Sequence, residues 1–480
     1  MSEPRRLHPI SAVVNFLKQL KDLIIPFLVF VVFGSRDGSI QLIISVVIIV
    51  FILIAGIISW LRFTYRLEEG ELRIEYGVFV RKKRYIPLDR IQSLDLSEGI
   101  LHRPFGLVRV KVETAGSSSK GEAEAVLTAI SKEEANQIQH ILFSAKNEKK
   151  ETDAEVSVKD TQEKILYKIT PGELLLMAST SGGVGVVFSA CFAFVFQFEE
   201  MIPYERLFNG LEDVISNGVL FISILVFIGF LIAWVAALVG TMVKYAGFTV
   251  KNVGEDLIIT RGLLEKRQIT IPLHRIQAIR ISENLIRQPL GFGTVFLESA
   301  GGSAIDQESA RVMILPIIKK ERIANILTPY LNDYSFKSVI ESAPSRALKR
   351  YMFRGLLYSL PIAAVPVIFF RPWGYLALLF VLLSIAWAFV KYKDAGWGID
   401  ELQLILRYRA VNKTTVFMKR NRIQSLNIKE SYFQRGKELG TVTAVVMSGS
   451  GGTGGTVVDL EKQDINDIYK WYSYTKLSAD

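Results

Sequence analysis

The most constraining feature of this sequence is an apolar run, Ile40–Leu61, that contains no charged residue. A run of about 20 predominantly apolar residues is long enough for a helix to cross a bilayer, whereas a helix on a water-soluble protein keeps a polar face. Five further stretches qualify or nearly qualify, and the six segments form three pairs: 16–33 with 40–61, 173–198 with 217–243, and 353–370 with 374–391. The sequence therefore predicts an integral membrane protein with six transmembrane helices in three hairpins.

The first, fifth and sixth segments are shorter than the others. Pro26 lies in the first segment, and Pro361 and Pro366 lie in the fifth. Because proline removes a backbone hydrogen bond and bends a helix, these segments could be kinked or partly re-entrant. The sequence leaves open whether all three cross the bilayer completely.

The charges that flank the apolar segments predict the orientation of the chain. The connection 199–216 contains five acidic residues and one base. Basic residues instead lie near the opposite ends of the segments: Arg5, Arg6, Arg62, Arg66, Lys244, Lys391 and Lys393. Because Lys and Arg are enriched on the cytosolic side of a membrane, both termini and the three large polar regions of this multi-pass cell-membrane protein are expected in the cytosol.

The formal net charge of +10 has the same explanation. A basic excess can indicate nucleic-acid binding, but no nucleic-acid-binding motif accompanies it here. We therefore expect the lipid bilayer as a partner, with possible contacts to anionic headgroups, and no nucleic acid. Ionisable residues are absent from the middle of the apolar segments, which argues against a coupled transporter because such residues usually mark ion pathways.

A repeated segment follows each hairpin. Ile86–Gly116 and Ile271–Gly301 align without a gap at an offset of 185, with 14 of 31 residues identical. A third, diverged copy begins at Met418, at a further offset of 147. Each copy contains Arg-Ile-Gln and a later glutamate; these signature residues are Arg90, Gln92 and Glu98, then Arg275, Gln277 and Glu283, then Arg422, Gln424 and Glu430. Three occurrences of this spacing indicate an internal repeat.

Each repeat has the pattern of several β-strands followed by one helix. Leu72, Ile74 and Tyr76 alternate with charged residues, which is typical of a half-buried strand, and Ser131 with Glu134 matches a helix capping box. The predicted divisions are an N-terminal segment with hairpin 1 (1–61), module 1 (62–143), a charged linker (144–164), hairpin 2 (165–243), module 2 (244–332), a linker with hairpin 3 (333–390) and module 3 (391–480).

The repeated pattern, Ile-Pro-Leu-x-Arg-Ile-Gln with a later glutamate, Pro-x-Gly and Glu-Thr-Ala-Gly, resembles the bacterial membrane-flanked pleckstrin-homology-like (PH-like) domain family. Three such domains, each behind a transmembrane hairpin, are similar to its YdbT-type members. The resemblance covers most of the chain and is weakest in module 3, where Met418-Lys419 replaces Ile-Pro.

The resemblance implies the fold class: an α+β membrane protein whose three cytosolic modules are bent antiparallel sheets or barrels of seven strands, each capped by a C-terminal helix. It implies neither catalytic residues nor a cofactor. It also implies a partner, another membrane protein with the same PH-like domain. Some members of the family are associated with resistance to membrane-active peptides or bacteriocins, which makes such resistance a candidate role.

The signature residues favour a structural role. Alternation along a strand predicts that Arg90 and Leu94 lie on the core side of the sheet and Ile91 on the other side. Arg90 would then form a partly buried ion pair with Glu98 or Glu113 that fixes the sheet. A ligand contact by the signature residues is the weaker alternative.

The densest basic cluster comprises Arg81, Lys82, Lys83 and Arg84. Basic residues near a membrane attract anionic headgroups, by about 1 kcal/mol each. They also occur on solvated strand edges, where they oppose aggregation, and the sequence does not decide between the two interpretations. The other modules carry smaller counterparts, namely Lys266 and Arg267 in module 2 and Lys419 and Arg420 in module 3.

The glycine-rich segment Gly449–Gly455 partly matches a phosphate-binding loop, but the lysine and hydroxyl residue of a Walker motif do not follow it. Because it aligns with Gly116–Gly121 between two predicted strands, we predict a hairpin loop. The four histidines lack metal-ligand spacing, and Cys191 is the single cysteine. Neither a metal site nor a thiol nucleophile is therefore predicted.

These features favour a non-enzymatic membrane scaffold whose cytosolic modules bind another protein or the inner leaflet. The modules repeat without any repeated acid–base pair or nucleophile that could form a catalytic site. The alternative is an exporter or immunity factor for antimicrobial peptides, or another membrane transporter.

Overall fold

The structure is a computed structural model of the 480-residue chain. It describes residues 4–17, 20, 38–78, 80–114, 125–139, 141, 164–181, 218–300, 311–370, 373–448 and 451–473. The chain divides into two compact units: unit 1 is Met1–Lys164 with Gly247–Pro272, and unit 2 is Ile165–Ala246 with Leu273–Asp480. Most of the predicted first and third apolar segments and most of the charged linker lie outside the described residues.

The strands are β1 (Arg5–Arg6), β2 (Thr64–Glu68), β3 (Glu71–Tyr76), β4 (Lys82–Pro87), β5 (Ile91–Glu98), β6 (Leu107–Thr114), β7 (Ala125–Ser131), β8 (Lys164–Lys168), β9 (Thr249–Val253), β10 (Asp256–Arg261), β11 (Lys266–Pro272), β12 (Ile276–Glu283), β13 (Phe292–Ser299), β14 (Arg311–Lys319), β15 (Glu341–Ser342), β16 (Gly396–Asp400), β17 (Gln403–Arg409), β18 (Lys413–Lys419), β19 (Ile423–Lys429), β20 (Leu439–Ser448) and β21 (Gly451–Glu461). The α-helices span Gly38–Leu61, Pro171–Ser179, Gly218–Tyr245, Lys320–Leu327, Ala347–Phe369, Ala377–Asp394, Tyr432–Arg435 and Lys462–Tyr472, and residues 10–17 and 132–139 are also helical.

Unit 1 contains the whole of module 1 and the first strands of module 2. One antiparallel sheet has the order β1-β2-β3-β4, and a second runs β7-β6-β5-β11-β10-β9. The predicted alternation is confirmed, because Leu72 and Ile74 of β3 and Val110 and Val112 of β6 are at most 2% exposed and belong to one hydrophobic core. Burial of such side chains stabilises the module by roughly 1.5–3 kcal/mol each.

Unit 2 contains the last strands of module 2 and the whole of module 3. Its larger antiparallel sheet has the order β14-β13-β12-β18-β17-β16-β15, and a smaller one has the order β19-β20-β21. Leu404 and Leu406 of β17, Val416 of β18 and Val442 and Ala444 of β20 are fully buried and form the core between them.

A helix directly follows the last strand of each module, as the sequence pattern predicts. In module 1 the amide of Glu134 donates to Ser131 Oγ at 3.2 Å, so one half of the predicted capping box forms. The Glu134 carboxylate does not complete the box with the Ser131 amide in the described contacts; it accepts from Arg5 at 2.6 Å and from the Tyr65 hydroxyl at 3.0 Å. This contact ties the N-terminal strand to the helix of module 1.

Three helices in the described part of the chain are long and apolar enough to cross a membrane: Phe227–Tyr245, Ala347–Phe369 and Gly374–Asp394. Large apolar side chains such as Phe353, Ile362 and Leu383 are more than half exposed on these helices. Apolar surface of this extent marks contact with lipid or protein rather than with water. The full count of six transmembrane helices stays a prediction.

The two helices of the last hairpin pack closely against each other at a glycine. Pro361 and Pro366 lie inside one continuous helix, Ala347–Phe369, which does not end at either proline. A Cβ atom added to Gly355 would lie 3.1 Å from Ala388 Cβ, and the Ser384 hydroxyl donates to the Gly355 carbonyl at 3.1 Å. The glycine therefore permits close contact between the helices.

The repeated Arg-Ile-Gln marks the same backbone irregularity in each module. Its arginine ends a 3-10 turn, its isoleucine begins a strand, and its glutamine lies at a register shift; the shifts fall between Ile91 and Ser93, Ile276 and Ala278, and Ile423 and Ser425. A bulge of this kind changes which side chains face the core. Ile91 and Leu94 are both buried, at 3% and 5% exposure, so the prediction that they lie on opposite faces is wrong.

The prediction of a hairpin loop at Gly449–Gly455 is also wrong for residues 451–455. Residues 451–455 belong to β21 and pair with β20, with Gly455 opposite Ala444. A Cβ atom on Gly455 would lie 3.1 Å from Leu406 Cβ and 3.2 Å from the Tyr408 ring. The glycine therefore leaves room for β17, which crosses β21 at close range.

Candidate functional site

Modules 1 and 2 join through their strand edges within unit 1. β5 of module 1 and β11 of module 2 are antiparallel, and Lys266, Arg267 and Gln268 lie opposite Glu98, Ser97 and Leu96, in that order. β5 begins the second sheet of its module, and β11 ends the first sheet of the next module. We call this β5–β11 pairing the first junction.

Unit 2 repeats this arrangement between modules 2 and 3, and we call the pairing of β12 with β18 the second junction. Here Lys413 lies opposite Glu283, and Phe417 lies opposite Ile279. Glu283 follows Glu98 by the repeat offset of 185, and Lys413 follows Lys266 by the offset of 147. The two junctions therefore have the same register.

Opposite charges accompany this register. Glu283 is 4% exposed and contacts Lys320 at 2.5 Å and Lys413 at 3.9 Å. Glu98 contacts Lys132 at 2.9 Å and faces Lys266 across the first junction. Oppositely charged residues directly across two strands favour the pairing, so the signature glutamates help to select it.

Two of the edge strands in the described part of the chain are counterparts of strands that join modules elsewhere. β4 is one of the two outermost strands of the β1–β4 sheet, and β19 is one of the two outermost strands of the β19–β21 sheet. By the repeat, β4 is the module 1 counterpart of β11 and β18, and β19 is the module 3 counterpart of β5 and β12. The edges that join modules elsewhere are thus unpaired at the beginning and at the end of the series.

The basic cluster Arg81–Arg84 lies along the open edge of β4. Arg81 contacts the Glu75 carboxylate, and Lys83 lies 3.7 Å from it. Partial burial works to raise the pKa of Glu75, but the hydrogen bond and the charge of Arg81 outweigh it and hold that pKa below its ordinary value. The Arg84 guanidinium lies 5.8 Å from the centre of the Tyr76 ring, so part of the cluster is held by its own sheet.

The smaller basic pairs do not form one surface with this cluster. Lys266 and Arg267 lie in β11 at the first junction, where Arg267 also contacts Glu265 at 2.9 Å. In unit 2, Lys419 contacts Asp333 and lies 4.7 Å from the centre of the Tyr334 ring. Arg420 lies 5.9 Å from the Trp471 ring.

The signature arginines occupy different environments. Arg90 is exposed, Glu98 contacts Lys132, and Glu113 contacts Lys111 at 3.2 Å, so neither predicted ion pair of Arg90 forms among the described residues. Arg275 is 7% exposed. Arg422 donates to the His274 carbonyl at 2.8 Å.

The remaining signature side chains are also unlike one another. Gln277 is buried and donates to the Arg275 carbonyl at 3.1 Å, whereas Gln424 is exposed. Gln92 lies at the bulge of β5. Glu430 is partly exposed and has no hydrogen-bond or ion-pair partner among the residues that the structure describes. The signature therefore sets the backbone more uniformly than it sets side-chain contacts.

Sequence reasoning missed a buried network around Arg280 at the second junction. Its guanidinium contacts Glu298 at 2.7 Å, the Tyr408 hydroxyl at 2.8 Å and the Gly454 carbonyl at 2.9 Å. Glu298 is 1% exposed and also accepts from Arg311 at 2.8 Å. A charged residue inside an otherwise buried strand was the available signal, because such a charge needs buried partners.

A second missed cluster anchors the last hairpin to module 3. Asp459 is fully buried, and its carboxylate contacts Arg350 at 3.1 Å and Arg354 at 2.5 Å. Gln434 donates to the same carboxylate at 2.8 Å. Both arginines lie on the helix Ala347–Phe369, so the ion pairs fix a membrane helix to the last strand of the sheet.

A cleft of about 520 Å³ lies beside this anchor, between the last hairpin and module 3. Its walls combine aromatic and basic side chains, among them Tyr358, Trp387 and Lys391. Such groups are typical of the membrane–water interface, where rings and cations meet lipid headgroups. The lining of this cleft is therefore compatible with a lipid headgroup.

Comparison with known proteins agrees with this architecture. A family model described as a bacterial PH domain matches residues 20–146, 207–331 and 356–476. The UPF0699 transmembrane protein YdbT of Bacillus subtilis is 39% identical over an alignment of 494 positions that covers 99% of each chain. The UPF0699 transmembrane protein YdbS of the same organism is 36% identical over 53 residues, which are 11% of this chain and 33% of YdbS. No solved structure matches the chain significantly. The three matched domains and the full-length similarity show that this chain belongs to the YdbT-type family of membrane proteins with bacterial PH domains.

Proposed function

We propose that this protein is a non-enzymatic, multi-pass scaffold of the cell membrane whose cytosolic PH-like modules bind protein partners through their strand edges. The observation that carries the proposal is the pair of junctions, where the edge of one module binds the edge of the next in the same register twice. Addition of a strand to an open sheet edge is a common mode of protein recognition. The equivalent edges on β4 and β19 have no partner strand in the described part of the chain.

The buried ionisable groups support a structural rather than a catalytic role. Glu298 and Asp459 are both engaged by two arginines, and Asp394 is engaged by Arg409 and Lys413. A catalytic acid or base instead needs access to a substrate. These carboxylates hold strands and helices together.

A role for anionic lipid fits beside the protein contacts. The cluster Arg81–Arg84 and the cleft with Lys391 both present positive charge to the surroundings. Headgroup contacts would orient the modules on the inner leaflet, while the open edges supply specificity. We assign the primary role to protein binding because the homologous edges at the junctions bind protein.

The partner is proposed to be another membrane protein with the same domain. The test is chemical crosslinking in native membranes followed by purification of the tagged chain and mass spectrometry. We expect a PH-domain membrane protein among the crosslinked partners, and crosslinked peptides should map to β4 or β19. Recovery of lipids alone, with no protein crosslinked to either edge, would contradict the proposal.

The cytosolic orientation has a separate test. In a Cys191→Ser background, a cysteine at the exposed Tyr432 should react with a membrane-impermeant maleimide only after the cells are permeabilised. A cysteine in the connection 199–216 should react in intact cells. The reverse labelling pattern would place the modules outside and overturn the proposal.

We further propose that the scaffold belongs to a complex that protects the membrane against membrane-active peptides, as the family resemblance suggests. A deletion strain should be more sensitive to such peptides than the parent and regain resistance when the gene is restored. Unchanged sensitivity across a broad panel would remove this role and leave the scaffold itself untouched.

A further inference from the structure

We propose that β4 of one copy of this chain pairs with β19 of a second copy, in the register of the two internal junctions, so that copies assemble head to tail. The proposal deepens the scaffold function, on which it rests, by naming the occupant of the open edges. It commits to a second copy because this chain itself carries both complementary edges.

The repeat defines which residues would meet. Arg81 precedes Lys266 by the offset of 185 and is therefore its counterpart, and Glu430 follows Glu283 by the offset of 147. Since Lys266 faces Glu98 and Lys413 faces Glu283, the same register places Arg81 opposite Glu430. The signature glutamate of module 3 would thus gain the basic partner that the other two already face.

The next apolar positions also match. Phe417 and Ile279 face each other at the second junction, at 4% and 0% exposure. Their counterparts at the open edges are Tyr85 in β4 and Leu426 in β19. Tyr85 is 53% exposed, so the pairing would cover an aromatic side chain that its counterpart already buries.

The exposure of the open strands supports an absent partner. Residues 82–85 of β4 are all exposed, whereas residues 414–418 of β18 are all buried at the second junction. Of residues 423–427 of β19 only Ile423 is buried, whereas all five equivalent residues of β12, 276–280, are buried. The difference follows from strand pairing, because the strands belong to equivalent places in the repeat.

One pair in the proposed register is unfavourable. Lys82 would lie opposite Lys429, and like charges directly across two strands repel each other. Lysines on an open edge also oppose unspecific aggregation. We therefore expect a reversible association, favoured because the membrane confines the copies. Since the two edges differ, the contact is heterologous and generates rings or rows of copies rather than a simple twofold dimer.

The test is disulfide crosslinking in membranes, in a Cys191→Ser background of the full chain. Arg81→Cys combined with Glu430→Cys should give dimers and larger multimers on a non-reducing gel after mild oxidation.

Two matched controls occupy the same register at the internal junctions: Glu98→Cys with Lys266→Cys, and Glu283→Cys with Lys413→Cys. Both pairs should crosslink within one chain. Arg81→Cys with Val339→Cys, whose parent side chain is 81% exposed and lies outside β19, measures random collisions.

Two results would overturn the proposal. The first is efficient crosslinking of both control pairs while Arg81→Cys with Glu430→Cys stays at the collision level. The second is a disulfide of that pair within a single chain, which would mean that the open edges meet each other in one copy. If a different PH-domain protein still crosslinks to β4, the scaffold function stands and only the self-assembly is wrong.

Charge variants provide an independent readout. Glu430→Lys should reduce multimer formation several-fold when the native chain is fixed with an amine-independent photocrosslinker, and Arg81→Glu in the same chain should restore it. Lys429→Glu, which removes the single like-charged pair, should increase multimer formation. If all these variants behave like the parent, the register is wrong.

Discussion

At the scale of single residues, unit 2 contains several buried carboxylates that are each shared by two cations. Asp459 is the clearest case, because it is fully buried and sits in a left-handed conformation with φ of 59°. Its partners Arg350 and Arg354 lie on a helix that is apolar enough to cross a membrane. Loss of the carboxylate would leave two partly buried cations without their counter-charge.

We expect Asp459→Ala to lower the free energy of unfolding by about 3–5 kcal/mol, the range for breaking one side of a buried ion pair. The measurement is thermal or denaturant unfolding of the detergent-solubilised protein. Asp467→Ala is the control, because Asp467 is exposed on the helix Lys462–Tyr472. A loss as small as that of the control would show that water compensates the arginines.

A second residue-scale prediction concerns pH. The Ser338 hydroxyl donates to Asp400 at 2.7 Å, and this hydrogen bond, with a weaker one from Ser335, lowers the pKa of Asp400. A lowered pKa in the folded state means that the unfolded state binds the proton more readily. The contribution to stability is therefore present above the ordinary aspartate pKa of about 3.9 and is lost as the pH falls through the lower folded value.

We therefore expect Ser338→Ala to weaken this acid dependence. Between pH 6 and pH 3 the melting temperature of the variant should fall less than that of the parent, since the variant has lost part of the stabilisation before acidification begins. Ser345→Ala changes an exposed serine and serves as the control. Equal slopes in all three proteins would mean that the Ser338 contact contributes nothing to stability.

At the scale of elements, strand positions were predictable, but strand faces were predictable only where no bulge interrupts the strand. The alternation at Leu72 and Ile74 located a strand whose core face is confirmed. The bulge at Arg-Ile-Gln could not be predicted from alternation. One extra residue in the strand shifts the alternation of core-facing side chains after it, and no residue type in the sequence marks that position. The glycine-rich part of β21 has the composition of a loop. Its glycines fit a strand because β17 approaches closely, and that long-range contact is not visible in the local sequence.

The close contact between β17 and β21 predicts that a better strand-forming residue at Gly455 destabilises the protein. Valine is a better strand former than glycine, so Gly455→Val would stabilise an isolated strand. Here the side chain would meet Leu406 and Tyr408, and we expect a loss of about 1–3 kcal/mol, as for other overpacked cores. Gly436→Ala has open space around it and should change stability little. A stabilised Gly455→Val variant would show that the strands can move apart.

At the scale of the whole molecule, the repeat and its family could be recognised from the sequence, and so could the presence of membrane helices. The sharing of sheets between successive modules could not, because edge pairing depends on contacts between residues roughly 170 positions apart, such as Glu98 and Lys266. The candidate interaction surface had a partial signal, since Arg81–Arg84 and Glu430 stood out as charges. Their complementarity became visible only through the register of the junctions.

The first junction also predicts that two fragments of the chain, cut in the charged linker, stay associated. Because β5 and β11 belong to one sheet, a nick in the charged linker 144–164 separates covalent neighbours without separating that sheet. Co-expressed halves, 1–150 and 151–480, should therefore complement each other and purify together, and Glu98→Lys, which sets like charges against Lys266, should weaken their recovery. If the two fragments do not purify together, the covalent linker, and not the strand edge, holds modules 1 and 2 together.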